Sequence, residues 1–362
     1  MNELFYELIR VSIGTQSSLS RIPSDREWGR LFKMAAKQSL TGICFYGLQN
    51  LGADADVGFE SIGMSEMRYL NWMSTAAQIQ ERNQLMDGFS RDSLAYFRER
   101  NIPCQVMKGQ GMASLYGPLG HFRQSGDVDV WLNCKPDDLY GMSMEKFGCL
   151  KGVTYHHIHF PLSDDYELEA HIYPSFLHNI IKNRRLHTFF DLYKPQPGCG
   201  DYCSPAFNRV FILIHAYNHF SGHGVGMRQL MDYYFVLKQG FTEEEREDTL
   251  EWLNKLGLTR FAKAVMWLMK YVFGLPDDCL LLDGCEKDGR FLLNEIMQTG
   301  NMGRGDKRVN RKMNDSALGR FVRNLGRDFR IARICPDHVF WEPVWGVYKF
   351  FKIKSIKDRY RS

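Results

Sequence analysis

Two aspartates stand in the run Arg123-Gln124-Ser125-Gly126-Asp127-Val128-Asp129-Val130-Trp131-Leu132. Val128, Val130 and Leu132 alternate with Asp127, Asp129 and Trp131, and period two is a strand signal that puts both carboxylates on one face. Side-by-side carboxylates repel, so either one keeps its proton or a cation stands between them. A divalent ion such as Mg²⁺ takes oxygen ligands of this type. A polar strand face meeting water reads the same way, so the pair gains meaning only from what surrounds it. Upstream, Val106-Met107-Lys108-Gly109-Gln110-Gly111 closes an apolar strand in a glycine turn that leads into a helix. Free N–H groups at such a turn face an anion, and Lys108 adds a point charge suited to phosphate. Downstream, Glu167, Glu169 and His171 share one face of a strand whose other face is Leu168, Ala170 and Ile172.

Three further groups carry chemistry-bearing side chains. His157 and His159 alternate with Ile158 and Phe160 and read as the polar outer face of a strand. His215 and His219 lie four apart on one helix face. No third ligand with clear spacing follows, so His219 reads as a polar contact rather than a zinc ligand. Arg228 and Asp232, also four apart, read as a helix-surface ion pair.

The elements that must position these residues follow from the same periodicities. Residues 1 to 100 show helical stripes, with a helix start at Ser24-Asp25-Arg26-Glu27 and a long helix from about Glu66 to Arg100. Ile102 to Met107 is a short buried strand; Met112 to Tyr116 begins a helix that Gly117-Pro118 ends. Pro136 opens the helix after the aspartate strand. The strands around His157 and Glu169 form a hairpin across the turn Ser163-Asp164-Asp165. Ser204-Pro205 caps the first helix of a C-terminal helical region, and Thr242-Glu243-Glu244-Glu245 is a capping box for another. The expected organisation is a helical region over 1–100, a core over 101–203 and a helical domain over 204–362. In the tail, Phe350 and Ile353 are expected to dock on the body.

The 362 residues are 44% hydrophobic and 24% charged, with a formal net charge of +4, so neither disorder nor strong polyanion binding is indicated. Nine cysteines, an odd number without a CxxC pair, suit free thiols in a reducing cytoplasm. The start, Met1-Asn2-Glu3, is acidic where a signal peptide would be basic, and no apolar run is long enough to span a membrane. Arginines at 304, 308, 311, 320, 323, 327, 330 and 333 form a basic stretch, read as solvated helix faces rather than a nucleic-acid contact.

A strand ending in Lys108-Gly109, a helix, an Arg-x2-Gly-Asp-x-Asp strand and then a Glu-x-His strand together resemble the DNA-polymerase-β-like nucleotidyltransferase superfamily. The chain looks closest to its branch of uncharacterised, largely bacterial nucleotidyltransferases, over roughly residues 25 to 240. The resemblance implies an α+β fold, a small mixed β-sheet flanked by helices. It implies transfer of a nucleoside monophosphate from an NTP to a hydroxyl acceptor, a small molecule or a protein, with two Mg²⁺ ions and release of pyrophosphate. Asp127, Asp129 and Glu169 would be the catalytic metal ligands, Glu169 also helping to deprotonate the acceptor. Lys108, Gly109, Arg123, Ser125 and Gly126 would face the triphosphate. His171 would orient Glu169 or substrate, and His219 and Arg228 would reach in from the helices. The chain departs from the superfamily in having Gln110 where a serine or glycine usually follows the glycine, unless Ser114 or Ser125 supplies the hydroxyl. Two other outcomes stay open: an inactive nucleotide- or partner-binding module on the same fold, and a toxin-like nucleic-acid-modifying transferase.

Overall fold

The computed structural model describes residues 1–52, 59–222, 224–303, 306, 308 and 326–360. Four helices open the chain: α1 (Asn2–Ile13), α2 (Asp25–Lys37), α3 (Thr41–Asn50) and α4 (Glu66–Arg98). Then come β1 (Cys104–Val106), α5 (Gln110–Ala113), a 3₁₀ stretch (Ser114–Phe122), β2 (Val128–Leu132), α6 (Pro136–Phe147), β3 (His157–His159) and β4 (Leu168–His171). Helices α7 (Ile180–Tyr193), α8 (Pro205–Gly222), α9 (Met227–Lys238), α10 (Glu243–Lys255), α11 (Thr259–Phe273) and α12 (Glu286–Thr299) follow, and the helix Pro336–Arg359 closes the described chain. The class is α+β, as expected.

The strands form one mixed sheet in the order β1-β2-β4-β3. β2 and β4 run parallel, which requires a crossover, here α6 and β3; the other pairs are antiparallel. The expected hairpin is β3–β4. One sheet face is aliphatic: Val106, Val130, Ala170 and Ile158 lie in register across the four strands. It packs with Met86, Phe89, Leu94 and Phe97 of α4 and with Leu139 and Tyr140 of α6 in one core. A larger core joins α1–α3 to α8–α12. Helix α4 contributes Trp72 to that core and Phe97 to the sheet core, so its 33 residues, about 50 Å at 1.5 Å per residue, tie the two together.

Several local expectations need correction. The helix after Lys108-Gly109 is a single turn of four residues, and the chain continues as 3₁₀ through Gly117, whose φ of 57° kinks it, rather than ending there. Helix α7 carries no strong sequence signal beyond Asn179, whose Oδ1 accepts from the Ile181 and Lys182 amides. In the last helix, Trp345 and Ile356 are buried and the expected Ile353 is half-buried, while Phe350 is 60% exposed.

Of the arginines in the basic stretch, 304, 311, 320 and 323 lie outside the described residues. Arg308, Arg327 and Arg333 pair with Glu295, Asp328 and Asp288. All nine cysteines are free thiols, and no described helix is long and apolar enough to cross a membrane.

Candidate active site

The chemistry-bearing face of the sheet follows from register. Asp129 lies beside Glu169, which lies beside His159; Trp131, His171 and His157 form the next row. Residues opposite one another across a ladder share a face, so β2, β4 and β3 present two carboxylates and three imidazoles together. Asp127, half-buried, enters the strand two residues ahead of Asp129. The Met107 amide donates to the Asp129 carbonyl at 3.0 Å, which carries the β1–β2 ladder one step further and delivers Lys108 to the carboxylates. Gly109 makes this turn with φ 50° and ψ −113°, backbone that a side chain resists. A Cβ there would also stand 3.2 Å from the Asp127 carbonyl oxygen.

Asp129 Oδ1 accepts from two cationic donors, Lys108 Nζ at 2.6 Å and His171 Nε2 at 2.8 Å. The same His171 nitrogen faces Glu169 Oε2 at 3.1 Å, and its Nδ1 faces the Tyr173 carbonyl at 3.3 Å. Acceptors on both sides favour a proton on each nitrogen. Burial opposes charge on His171, but the hydrogen bonds to Asp129 and Glu169 outweigh it and raise its pKa. Burial likewise disfavours charge on Lys108, yet the carboxylates of Asp129, Glu169 and Asp127 push its pKa up. Glu169 is held down at about 2: burial works against this, and the His171 hydrogen bond and the Lys108 charge prevail. His157 is driven down to about 2 by burial and by the nearby His171 and Lys108 charges, so it is neutral.

The remaining predicted residues divide into those near this cluster and those committed elsewhere. Arg123, almost fully buried, makes two 2.7 Å bonds to the carboxylate of Asp232 on α9, which also accepts from the Tyr116 hydroxyl at 2.6 Å. The expected Arg228–Asp232 surface pair is therefore not formed; Asp232 is buried and its partner comes from the loop before β2. Ser125 is buried and donates to Gln110 Oε1, while Gln110 donates to Asp87. The Ser114 hydroxyl donates to the Gly111 carbonyl at 2.7 Å, so both serine hydroxyls are spent within the chain. Gly126 is exposed, and its carbonyl accepts from Arg82 at 3.0 Å.

Arg228 differs from Arg123. It donates to the Gln124 carbonyl, its Nε is buried with no partner among the described residues, and burial together with the Arg123 charge lowers its pKa, with Asp232 and then Asp127 acting the other way. A desolvated guanidinium of this kind is suited to a phosphate anion. His215 and His219 face each other with ring centroids 4.4 Å apart. Among the described residues they belong to no group of three metal-type ligands.

Chain reading missed His156 and misread His157, taken there as outward-facing. His157 is buried, with His156 Nε2 at 3.3 Å from its Nδ1. The signal lay in the hairpin: had its register been known, His157 would have fallen opposite His171.

The donor set fits a divalent cation. Asp129, Glu169 and His171 bring one ligand atom each within 4.8 Å of one another, and so do His157, His159 and Glu169. Asp127 belongs to no such group among the described residues, although its charge is felt by Lys108 and Glu169. Against three carboxylates stand Lys108 and His171, so the cluster keeps room for added positive charge.

The sequence model of a family described as uncharacterised nucleotidyltransferase matches residues 24–274. No curated protein and no solved structure matches the chain.

Proposed function

Because the chain belongs to the uncharacterised nucleotidyltransferase family, we propose that it moves a nucleoside monophosphate from an NTP to a hydroxyl acceptor at the Asp127–Asp129–Glu169 face. The observation that carries this reading is the β2–β4 register, which sets Asp129 beside Glu169 with Lys108 against them. Asp127, Asp129 and Glu169 are the residues that would hold divalent ions, Mg²⁺ by the chemistry of carboxylate oxygens. Bound there, such ions supply neutralisation of triphosphate oxygens and an acidified acceptor hydroxyl.

The chain's own residues account for the rest. Lys108 offers a phosphate the ammonium that now rests on Asp129, and Arg228 offers a dehydrated guanidinium. Arg123 acts at a distance, by holding the loop before β2 against α9 through Asp232. Glu169, ionised down to about pH 2, is a better ligand than base. In the transfer the acceptor oxygen bonds to the α-phosphorus, the bond to the bridging oxygen breaks and pyrophosphate leaves. The hydroxyl proton passes to solvent or, transiently, to Glu169.

The test is pyrophosphate release from ATP, GTP, CTP and UTP over a panel of hydroxylated acceptors, wild type against Asp127→Ala/Asp129→Ala. Equal release by both proteins refutes the reading. One observation favours a second reading, an NTP-binding module without transfer: Lys108 and His171 both already engage Asp129 Oδ1. That reading predicts calorimetric NTP binding with no pyrophosphate from any acceptor.

A further inference from the structure

Glu169 has imidazoles on two sides that differ in kind. Its contact with His171, at 3.1 Å, is a hydrogen bond. Its contacts across the β3–β4 ladder are not: His157 Nδ1 lies 3.5 Å from Oε2, and His159 Nε2 lies 3.9 Å from Oε1. These spacings are long for hydrogen bonds and close to the separation of co-ligands. An ion bound tetrahedrally at about 2.0–2.1 Å keeps its ligands roughly 3.4 Å apart.

The far side of His159 is also fixed. Its Nδ1 is 2.7 Å from Glu167 Oε1, which leaves Nε2 to point at Glu169. A carboxylate on the non-ligating nitrogen is how metal-binding histidines are oriented and made more basic. The rings of His157 and His159 lie nearly parallel, 24° apart with centroids at 5.7 Å, and each sets a nitrogen toward the Glu169 carboxylate; His157 Nδ1 also lies 3.3 Å from His156 Nε2, a contact the ion would displace. Neutral imidazoles select borderline transition ions, whereas Mg²⁺ prefers oxygen donors.

We propose that His157, His159 and Glu169 form a zinc-class site on the outer strand pair, with Glu167 as the positioning residue for His159. The site shares Glu169 with the proposed transfer site but does not rest on that reading, because it is read without nucleotide. His159 is 37% exposed in its side chain, which leaves a path for the ion.

The probes are Zn²⁺ content after metal-free dialysis and reloading, and the visible d–d bands of Co²⁺ added in its place. Wild type is expected to retain one Zn²⁺ and to give intense tetrahedral Co²⁺ bands. His159→Gln should weaken Co²⁺ binding more than tenfold, and Glu167→Gln by about tenfold. Asp127→Asn/Asp129→Asn should leave the bands in place even if it ends pyrophosphate release, which separates failure here from failure of the transfer reading. Because His157 is buried and its removal can unfold the hairpin, the exposed His159 carries the test, with circular dichroism as the folding control. Absence of Co²⁺ bands in folded wild type, or unchanged bands in His159→Gln, overturns the proposal.

Discussion

Lys108→Met is the most informative single change, because the structure gives Lys108 two incompatible attachments. Its ammonium rests 2.6 Å from Asp129 Oδ1, and that carboxylate is 3% exposed. At this distance the bare attraction is about 6 kcal/mol at an effective dielectric of about 20, most of it offset by desolvation. A hydrogen bond between charged groups nets about 1.5–3 kcal/mol. A divalent ion binding Asp129 must displace that interaction. Removing the ammonium while keeping a side chain of similar length therefore tightens divalent binding by roughly ten- to a hundredfold. Mn²⁺ titrated calorimetrically into both proteins, without nucleotide, reads this directly. The same variant should unfold more easily in metal-free buffer, since one partner of a buried pair is gone, at a cost of about 3–5 kcal/mol before His171 compensates. Saturating Mn²⁺ should return much of that, about 2.7 kcal/mol at a hundred times Kd. NTP affinity should fall, because the phosphate loses its point charge. Mn²⁺ affinity that is unchanged or weaker in Lys108→Met would refute the picture of lysine and metal competing for one oxygen.

Other outcomes follow from neighbouring geometry. Arg228→Gln should weaken NTP binding at least tenfold while leaving the urea midpoint near wild type, because among the described residues the guanidinium has a backbone carbonyl but no ion pair; calorimetry and denaturation check the two halves. Asp232→Ala should destabilise by about 3–5 kcal/mol by stranding Arg123, and Arg123→Met/Asp232→Leu should recover most of it, measured by urea unfolding. His178 and His338 meet Nδ1 to Nδ1 at 2.9 Å, and burial lowers His178 from 6.5 to about 4 and His338 to about 2. Below about pH 6.5 the unfolded chain takes protons that the folded one refuses, so stability falls as pH drops, by about 2 kcal/mol at pH 5 from His178 alone. Urea midpoints at pH 7 and pH 5 measure this, and His178→Phe should flatten the slope.

Much of the candidate site's arrangement was legible from residue order because strands alternate. Val128, Val130 and Leu132 can be buried on one face only if Asp127 and Asp129 share the other, and Leu168 and Ala170 make the same demand of Glu169 and His171. Capping residues were equally local: Ser24 with Glu27 and Thr242 with Glu245 mark helix starts that the structure contains. Helix α7 was harder, since its buried face is a narrow one, Asn183, Leu186, Phe189 and Phe190, while apolar Ile181 and Leu192 stay exposed and blur the stripe.

Pairing across the fold was beyond any local signal. Nothing in the spacing of Arg228 and Asp232 announces that Asp232 will take Arg123 instead, a choice made when α9 docks on the loop before β2. Nor does the tail reveal that Phe350 stays outside while Trp345 goes in.

The residue order alone determined which side chains share a strand face and where helices begin, because those are set by backbone period and by partners within a few positions. Tertiary structure decided which strand lies beside which, and so that Asp129 meets Glu169, that Lys108 closes on Asp129 and that His157 turns inward. Those contacts join residues up to dozens of positions apart, and burial, which only the assembled fold creates, sets both their partners and their charge.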